Sequence, residues 1–371
     1  MKRETGNLML VNGGRFVMNA CRYVLAGALV AGMAIQAGAA DKALRVVATL
    51  PDYAVIAREI GDERVEVQAI VHGEQDAHYI RPKPSFVTMV RKADVLIDTG
   101  LDLEMWLPTV IDKSGNAKVR SGQPGYVAVS KGLDLLEKPE VVSRIEGGVH
   151  LYGNPHITCS PVNMRTVARN IAAGLIKNDP AGEAEYTKRR DAFIRQLDER
   201  LFGKPLVDIL GGDTLAELGA KGRLIAFLEK QTYEDKPLLA QLGGWMKDML
   251  PLRGVPIVTY HKNWVYFVTL FGLEEAGTVE PKPGIPPSPR HVLELTRMME
   301  ERDIGIILAA NYFDEQKIRT VASRVNAEPV IVPLYVGGGE GVDNYFALVD
   351  HWVNGLLDAA RKKGLIERGK R

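Results

Sequence analysis

Seven histidines, His72, His78, His150, His156, His261, His291 and His351, are the side chains of this chain best suited to proton or metal chemistry near neutral pH. Three of them stand where a ligand loop would stand. His78 lies in the polar run Glu74-Gln75-Asp76-Ala77-His78-Tyr79-Ile80-Arg81-Pro82, after an apolar segment that reads as a strand. His156 closes Gly153-Asn154-Pro155-His156 just ahead of a helical pattern, and His261 directly follows the strand-like PIVTY. Imidazole suits zinc, with bonds of about 2.0 to 2.1 Å, and suits manganese or iron when carboxylates complete the shell. Nitrogens bound to one such ion would lie within about 4 Å of one another. Spacings of 78 and 105 residues form no local motif, so only the fold can bring these three together.

The elements needed for that are visible in the hydrophobic pattern. Apolar runs at Leu44–Leu50, Val65–Val71, Val95–Asp98 and Val127–Val129 read as buried strands. Between them, Asp52–Ile60, Pro84–Lys92 and Leu103–Asp112 carry apolar residues at helical spacing with charge on the other face. Val162–Lys177 predicts a helix stopped by Asn178-Asp179-Pro180, and Ala181–Leu201 resumes as a long charged amphipathic helix. A second alternating block has strands at Pro256–Tyr260, Gly305–Ala309 and Val330–Val332, with helices at about 264–271, 289–302, 315–326 and 343–362. The expected fold is α/β: two lobes, each a mostly parallel sheet flanked by helices, joined by one long connector helix. Its domains are 41–180 for the first lobe, 181–202 for the connector and 203–371 for the second lobe, with an insertion carrying local helices at about 203–254. In such open sheets ligands gather at the carboxyl ends of strands. Gly337-Gly338-Gly339-Glu340-Gly341 lacks the lysine and hydroxyl of a phosphate loop and reads as a flexible cleft loop.

Residues 1–40 read differently. Lys2, Arg3, Arg15 and Arg22 precede the thirteen-residue apolar run Tyr23–Ile35, followed by Ala37-Gly38-Ala39-Ala40, which is the layout of a secretory signal peptide. The run falls short of the roughly 20 residues a membrane span needs. Without these residues the formal charge passes from +1 to about −2, so nothing favours a nucleic-acid partner. Cys21 leaves with the signal, and Cys159 remains without an intramolecular partner in an oxidising compartment. At 46% hydrophobic and 25% charged residues, disorder and fibrous repeats are excluded.

Val67 to Leu107 resembles the zinc- and manganese-binding solute-binding proteins of bacterial ABC importers. The shared features are a strand, Asp76 and His78, the prolines Pro82 and Pro84, then Ala93-Asp94-Val95-Leu96-Ile97-Asp98-Thr99-Gly100-Leu101-Asp102-Leu103-Glu104-Met105-Trp106-Leu107. Asn154-Pro155-His156, Asn178-Asp179-Pro180 with Tyr186, Thr259-Tyr260-His261 with Tyr266-Phe267, and the proline-rich Glu280–Ser288 continue the likeness in order. The resemblance implies a two-lobed periplasmic receptor, monomeric, that holds a divalent ion through His78, His156 and His261 and delivers it to a membrane permease. It implies binding rather than catalysis, with zinc as the transported ligand and manganese or iron as alternatives. A histidine at 261, where some manganese members have glutamate, favours zinc. The family's two carboxylate positions fall near Asn311 and Tyr335, leaving Glu340, Asp343 or water for a fourth ligand. The histidine-rich loop of some zinc members is missing, so His150, the only histidine in that stretch, is at best a weak accessory ligand and is expected at the solvated surface; Cys159, whose thiolate could bind zinc, is expected as a small buried residue. The competing reading, a secreted zinc hydrolase, lacks a His-Glu-x-x-His pair and an evident general base.

Overall fold

Each half of the chain builds the same kind of layer. In the computed structural model, which describes residues 42–138, 150–282 and 284–367, the expected signal peptide at 1–40 lies outside the described residues. The first half runs β1 (Leu44–Ala48), α1 (Pro51–Gly61), β2 (Val65–Ala69), α2 (Pro84–Lys92), β3 (Val95–Asp98), α3 (Leu107–Ser114), β4 (Tyr126–Ala128) and α4 (Pro161–Asn178). Proline opens each of these four helices, at positions whose N–H would have no partner inside the helix, so the ring fixes the entry angle at no cost in hydrogen bonds. The four strands form one parallel sheet in the order β2-β1-β3-β4.

The chain then enters α5 (Glu183–Phe202), a 20-residue helix whose buried stripe includes Tyr186, Phe193, Leu197 and Leu201. Past it come α6 (Lys204–Leu210), α7 (Gly212–Ala220), α8 (Leu224–Lys230), a short hairpin of β5 (Thr232–Tyr233) and β6 (Lys236–Pro237), and α9 (Gly244–Met249). The last stretch runs β7 (Pro256–Thr259), α10 (Val265–Phe271), β8 (Glu274–Thr278), α11 (Pro289–Glu301), β9 (Ile306–Ala310), α12 (Glu315–Arg324), β10 (Glu328–Val332) and α13 (Tyr345–Lys362). Its sheet is also parallel, ordered β10-β9-β7-β8. Counted from the other edge, this is the strand order of the first sheet. The strand β8 was not expected. Its sequence, Glu-Glu-Ala-Gly-Thr, has little strand propensity, and an edge position paired through an irregular register with β7 tolerates that.

Both sheets belong to one compact unit, Ala43–Arg371. The helix α5 packs against α1 and α4 of the first half and α9 of the second. Ion pairs fix its last turns to both halves: Arg165 of α4 with Asp198 at 2.9 Å, both buried, and Arg200 with Asp350 of α13 at 2.5 Å. In the glycine-rich cleft loop Gly338 is buried, while Gly337, Gly339, Glu340 and Gly341 are exposed. A Cβ added to Gly73 would come within 2.2 Å of the Gly338 nitrogen, so glycine is required where the loop after β2 meets the loop after β10.

Candidate metal centre

The three histidines singled out from the sequence arrive from both sheets at one point. His78 sits in a single turn of 3-10 helix, Ala77–Tyr79, in the loop after β2. Asp76 caps that turn, accepting from the His78 backbone N–H at 3.0 Å. His261 lies two residues past the end of β7, and His156 precedes the turn Ile157–Cys159 that leads into α4. Asn154 ties the last two loops: its Oδ1 accepts from the His156 N–H at 3.0 Å while its Nδ2 donates to the Lys262 carbonyl at 2.7 Å. One ligand atom from each of His78, His156 and His261 lies within 4.8 Å of the other two. This is somewhat wider than the spacing a bound zinc would impose.

Orientation comes from carboxylates. Asp76 Oδ1 is 2.7 Å from His78 Nδ1, and Glu280 Oε2 is 2.5 Å from His261 Nδ1. An imidazole that donates Nδ1–H to a carboxylate presents Nε2 as a lone pair, the arrangement a metal ligand needs. Glu280 follows β8 and also accepts from the Gly284 N–H at 3.0 Å, so the proline-rich segment helps to aim His261. Burial works to raise the Asp76 carboxyl, but its contacts with His78 outweigh this and hold it below the usual range. His156 is 1% exposed, and its Nε2 has no hydrogen-bond partner among the described residues. Burial first, and then the neighbouring rings of His78, His261 and His150, push its basicity well below that of a free imidazole. It therefore stays neutral and ready to accept a cation. Asn263 stands 3.4 Å from His156 Nδ1 and bonds Tyr312 at 3.0 Å. The atom in both contacts is the Asn263 amide nitrogen, which donates to the Tyr312 hydroxyl, while its Oδ1 has no partner among the described residues.

A fourth histidine was misjudged. His150, expected at the solvated surface, has its side chain only 15% exposed and stacks on His78 with ring centroids 5.3 Å apart. Its Nε2 is 3.4 Å from His78 Nε2, and its Nδ1 is 2.9 Å from Asp102 Oδ1. Nothing in the residues around His150 marks it, because its partner lies 48 positions earlier. The other sequence candidates stand apart. Glu340 and Asp343 are exposed, and Asn311 Nδ2 donates to the Gly338 carbonyl at 2.6 Å. The Tyr335 ring is buried, and its hydroxyl has no partner among the described residues. Cys159 is fully buried, which pushes its thiol well up and keeps it protonated. His291 and His351 are spent on the backbone carbonyls of Thr278 and Ala347.

The family model described as zinc-uptake complex component A, periplasmic, matches residues 46–200 and 228–359. The unmatched stretch between them contains α6 and α7. Among characterised relatives, the high-affinity zinc uptake system protein ZnuA of Bacillus subtilis is 22% identical over 86% of this chain and 87% of its own length. The manganese ABC transporter substrate-binding lipoprotein PsaA of Streptococcus pneumoniae is 23% identical over 86% and 90%. The metal ABC transporter substrate-binding lipoprotein FimA of Streptococcus parasanguinis is 24% identical over 88% and 92%. A crystal structure of ZnuA superposes with a TM-score of 0.62 at 16% identity, covering 86% of this chain and 99% of that one. The manganese-bound periplasmic metal-binding protein of Candidatus Liberibacter asiaticus gives 0.60 at 16% identity over 87% and 100%.

Proposed function

Because the chain belongs to the family of periplasmic zinc-uptake component A, a family of metal-binding receptors for ABC importers, we propose that it captures zinc outside the cytoplasm and hands it to a membrane permease. The observation that carries this reading is the convergence of His78, His156 and His261, with ligand atoms mutually within 4.8 Å. All three are nitrogen donors, and no carboxylate belongs to that group among the described residues. Nitrogen-rich sites favour zinc, whereas manganese prefers oxygen. Relatives named for zinc and relatives named for manganese are about equally distant, so the choice of zinc rests on the donor set of this chain.

On this reading residues 41–180 and 203–371 are the two lobes, 181–202 is the connector, the chain works as a monomer, and residues 1–40 direct export. Each lobe supplies at least one imidazole, so a bound ion bridges them. The bound ion is cargo, and the site's product is its affinity.

The test is a competition titration on protein purified without added metal. Zinc should bind tightly and manganese far more weakly, and His261→Ala should lower zinc affinity by orders of magnitude. Zinc should also raise the melting temperature, since free ligand at one hundred times Kd stabilises the fold by about 2.7 kcal/mol. Equal zinc affinity in the wild type and His261→Ala, or a preference for manganese, would overturn the proposal.

A further inference from the structure

The contact between His78 and His150 has the wrong chemistry for a hydrogen bond and the right geometry for a shared cation. Each ring gives its Nδ1–H to its own carboxylate, His78 to Asp76 at 2.7 Å and His150 to Asp102 at 2.9 Å. Both Nε2 atoms are then acceptors, yet they face each other at 3.4 Å. Two lone pairs at that distance repel unless something positive lies between them. Nitrogens bound to one tetrahedral zinc at about 2.0 to 2.1 Å are separated by about 3.3 to 3.4 Å, which is the observed distance.

The chain around His150 is built to hold that position. Asp102 uses both oxygens, Oδ1 on the His150 ring and Oδ2 accepting from the Leu151 N–H at 2.8 Å. The Asp102 and His150 side chains are each 15% exposed, and the His150 ring centroid is 5.9 Å from that of His156, near perpendicular.

Resting on the reading of His78, His156 and His261 as a metal site, we infer that His150 is the fourth ligand and that Asp102 positions it. His150 stands outside the three whose ligand atoms are mutually within 4.8 Å, so its ring closes on the ion when metal binds, and the ion is then held by four imidazoles, three of them oriented by carboxylates: Asp76, Asp102 and Glu280. This fills the place left by Asn311 and Tyr335, neither of which is a carboxylate, and it does so with nitrogen. A shell without a protein oxygen selects ions that favour imidazole, such as zinc, and discriminates against manganese.

X-ray absorption on the zinc-loaded protein counts the imidazoles directly. The wild type should show four, and His150→Ala three with one oxygen from water. Chelator competition should find zinc bound at least about 10- to 100-fold more weakly in His150→Ala, the range seen even for orienting residues. Asp102→Asn should keep four imidazoles while losing affinity, which separates a positioning residue from a ligand. His72→Ala, at an exposed position away from the cluster, should match the wild type. Three imidazoles in wild type together with undiminished affinity in His150→Ala would overturn the inference and leave the receptor reading intact. Failure of the wild type to bind zinc would remove the receptor reading itself, and this inference with it.

Discussion

An imidazole becomes a metal ligand by presenting one ring nitrogen as a lone pair, so the group that holds the other nitrogen matters nearly as much as the histidine. Glu280 does this for His261 at 2.5 Å and is itself largely buried, with a side chain 10% exposed. Glu280→Gln should therefore weaken zinc binding by about 10- to 100-fold with His261 still in place, as read by chelator competition. A change of less than twofold would show that the ring is held by packing alone. His78, His156 and His261 were legible in the sequence because each follows a strand or opens a helix. His150, Asp102 and Glu280 were not. Asp102 and Glu280 act on partners 48 and 19 positions away, and such pairings leave no local pattern. Of the positions considered for a fourth ligand, Glu340 and Asp343 turned out exposed, since their loop turns its backbone rather than its acids toward the first half.

At the scale of elements, the first turn of α1 contains an acid in an unusual place. Asp52 is fully buried, and burial pushes its carboxyl up to about 7, against smaller opposing contributions from its own backbone N–H and that of Val336 beyond β10. The titratable groups whose fields involve it are Tyr53, Cys159, Tyr335 and Tyr345, and none is a cation. A carboxyl whose folded value exceeds the unfolded value near 3.9 binds its proton more tightly in the native state. That contribution is fully present below about pH 4 and is lost as pH rises through about 7, on the order of a few kcal/mol at most. Asp52→Asn should consequently melt higher than the wild type at pH 8, with the difference vanishing near pH 4. A pH-independent difference would deny Asp52 this titration. The helices outside 203–254 and seven of the eight strands in the two large sheets were legible as apolar runs and helical periods, whereas α6 to α9 lie in a stretch without a clean period. What escaped was β8, whose two glutamates and glycine suit only an edge, and the close approach of Gly338 to Gly73 some 260 residues earlier.

At the scale of the whole molecule, α5 is fastened to both halves. Arg165–Asp198 binds it to α4, Arg200–Asp350 to α13, and the Trp245 indole N–H donates to the same Asp350 at 2.7 Å. A helix held this way resists bending, so metal removal should rearrange cleft loops and leave the lobes nearly fixed. Scattering curves of zinc-loaded and chelator-stripped protein should give the same radius of gyration within error, and a large increase on stripping would contradict a rigid strut. The shared strand order of the two sheets has a consequence of another kind. It gives every loop at the cleft an opposite number: the His78 loop after β2 answers the Glu280 loop after β8, and the His156 loop after β4 answers the Tyr335 loop after β10. The scaffold is a duplicate, whereas the chemistry laid on it is lopsided: His78 and His156 in one copy are answered by Glu280 and Tyr335 in the other, whose own imidazole in the group is His261. Cargo preference in such an architecture is set by single side chains in loops already aimed at the centre, so the receptor's selectivity can change without any strand being moved.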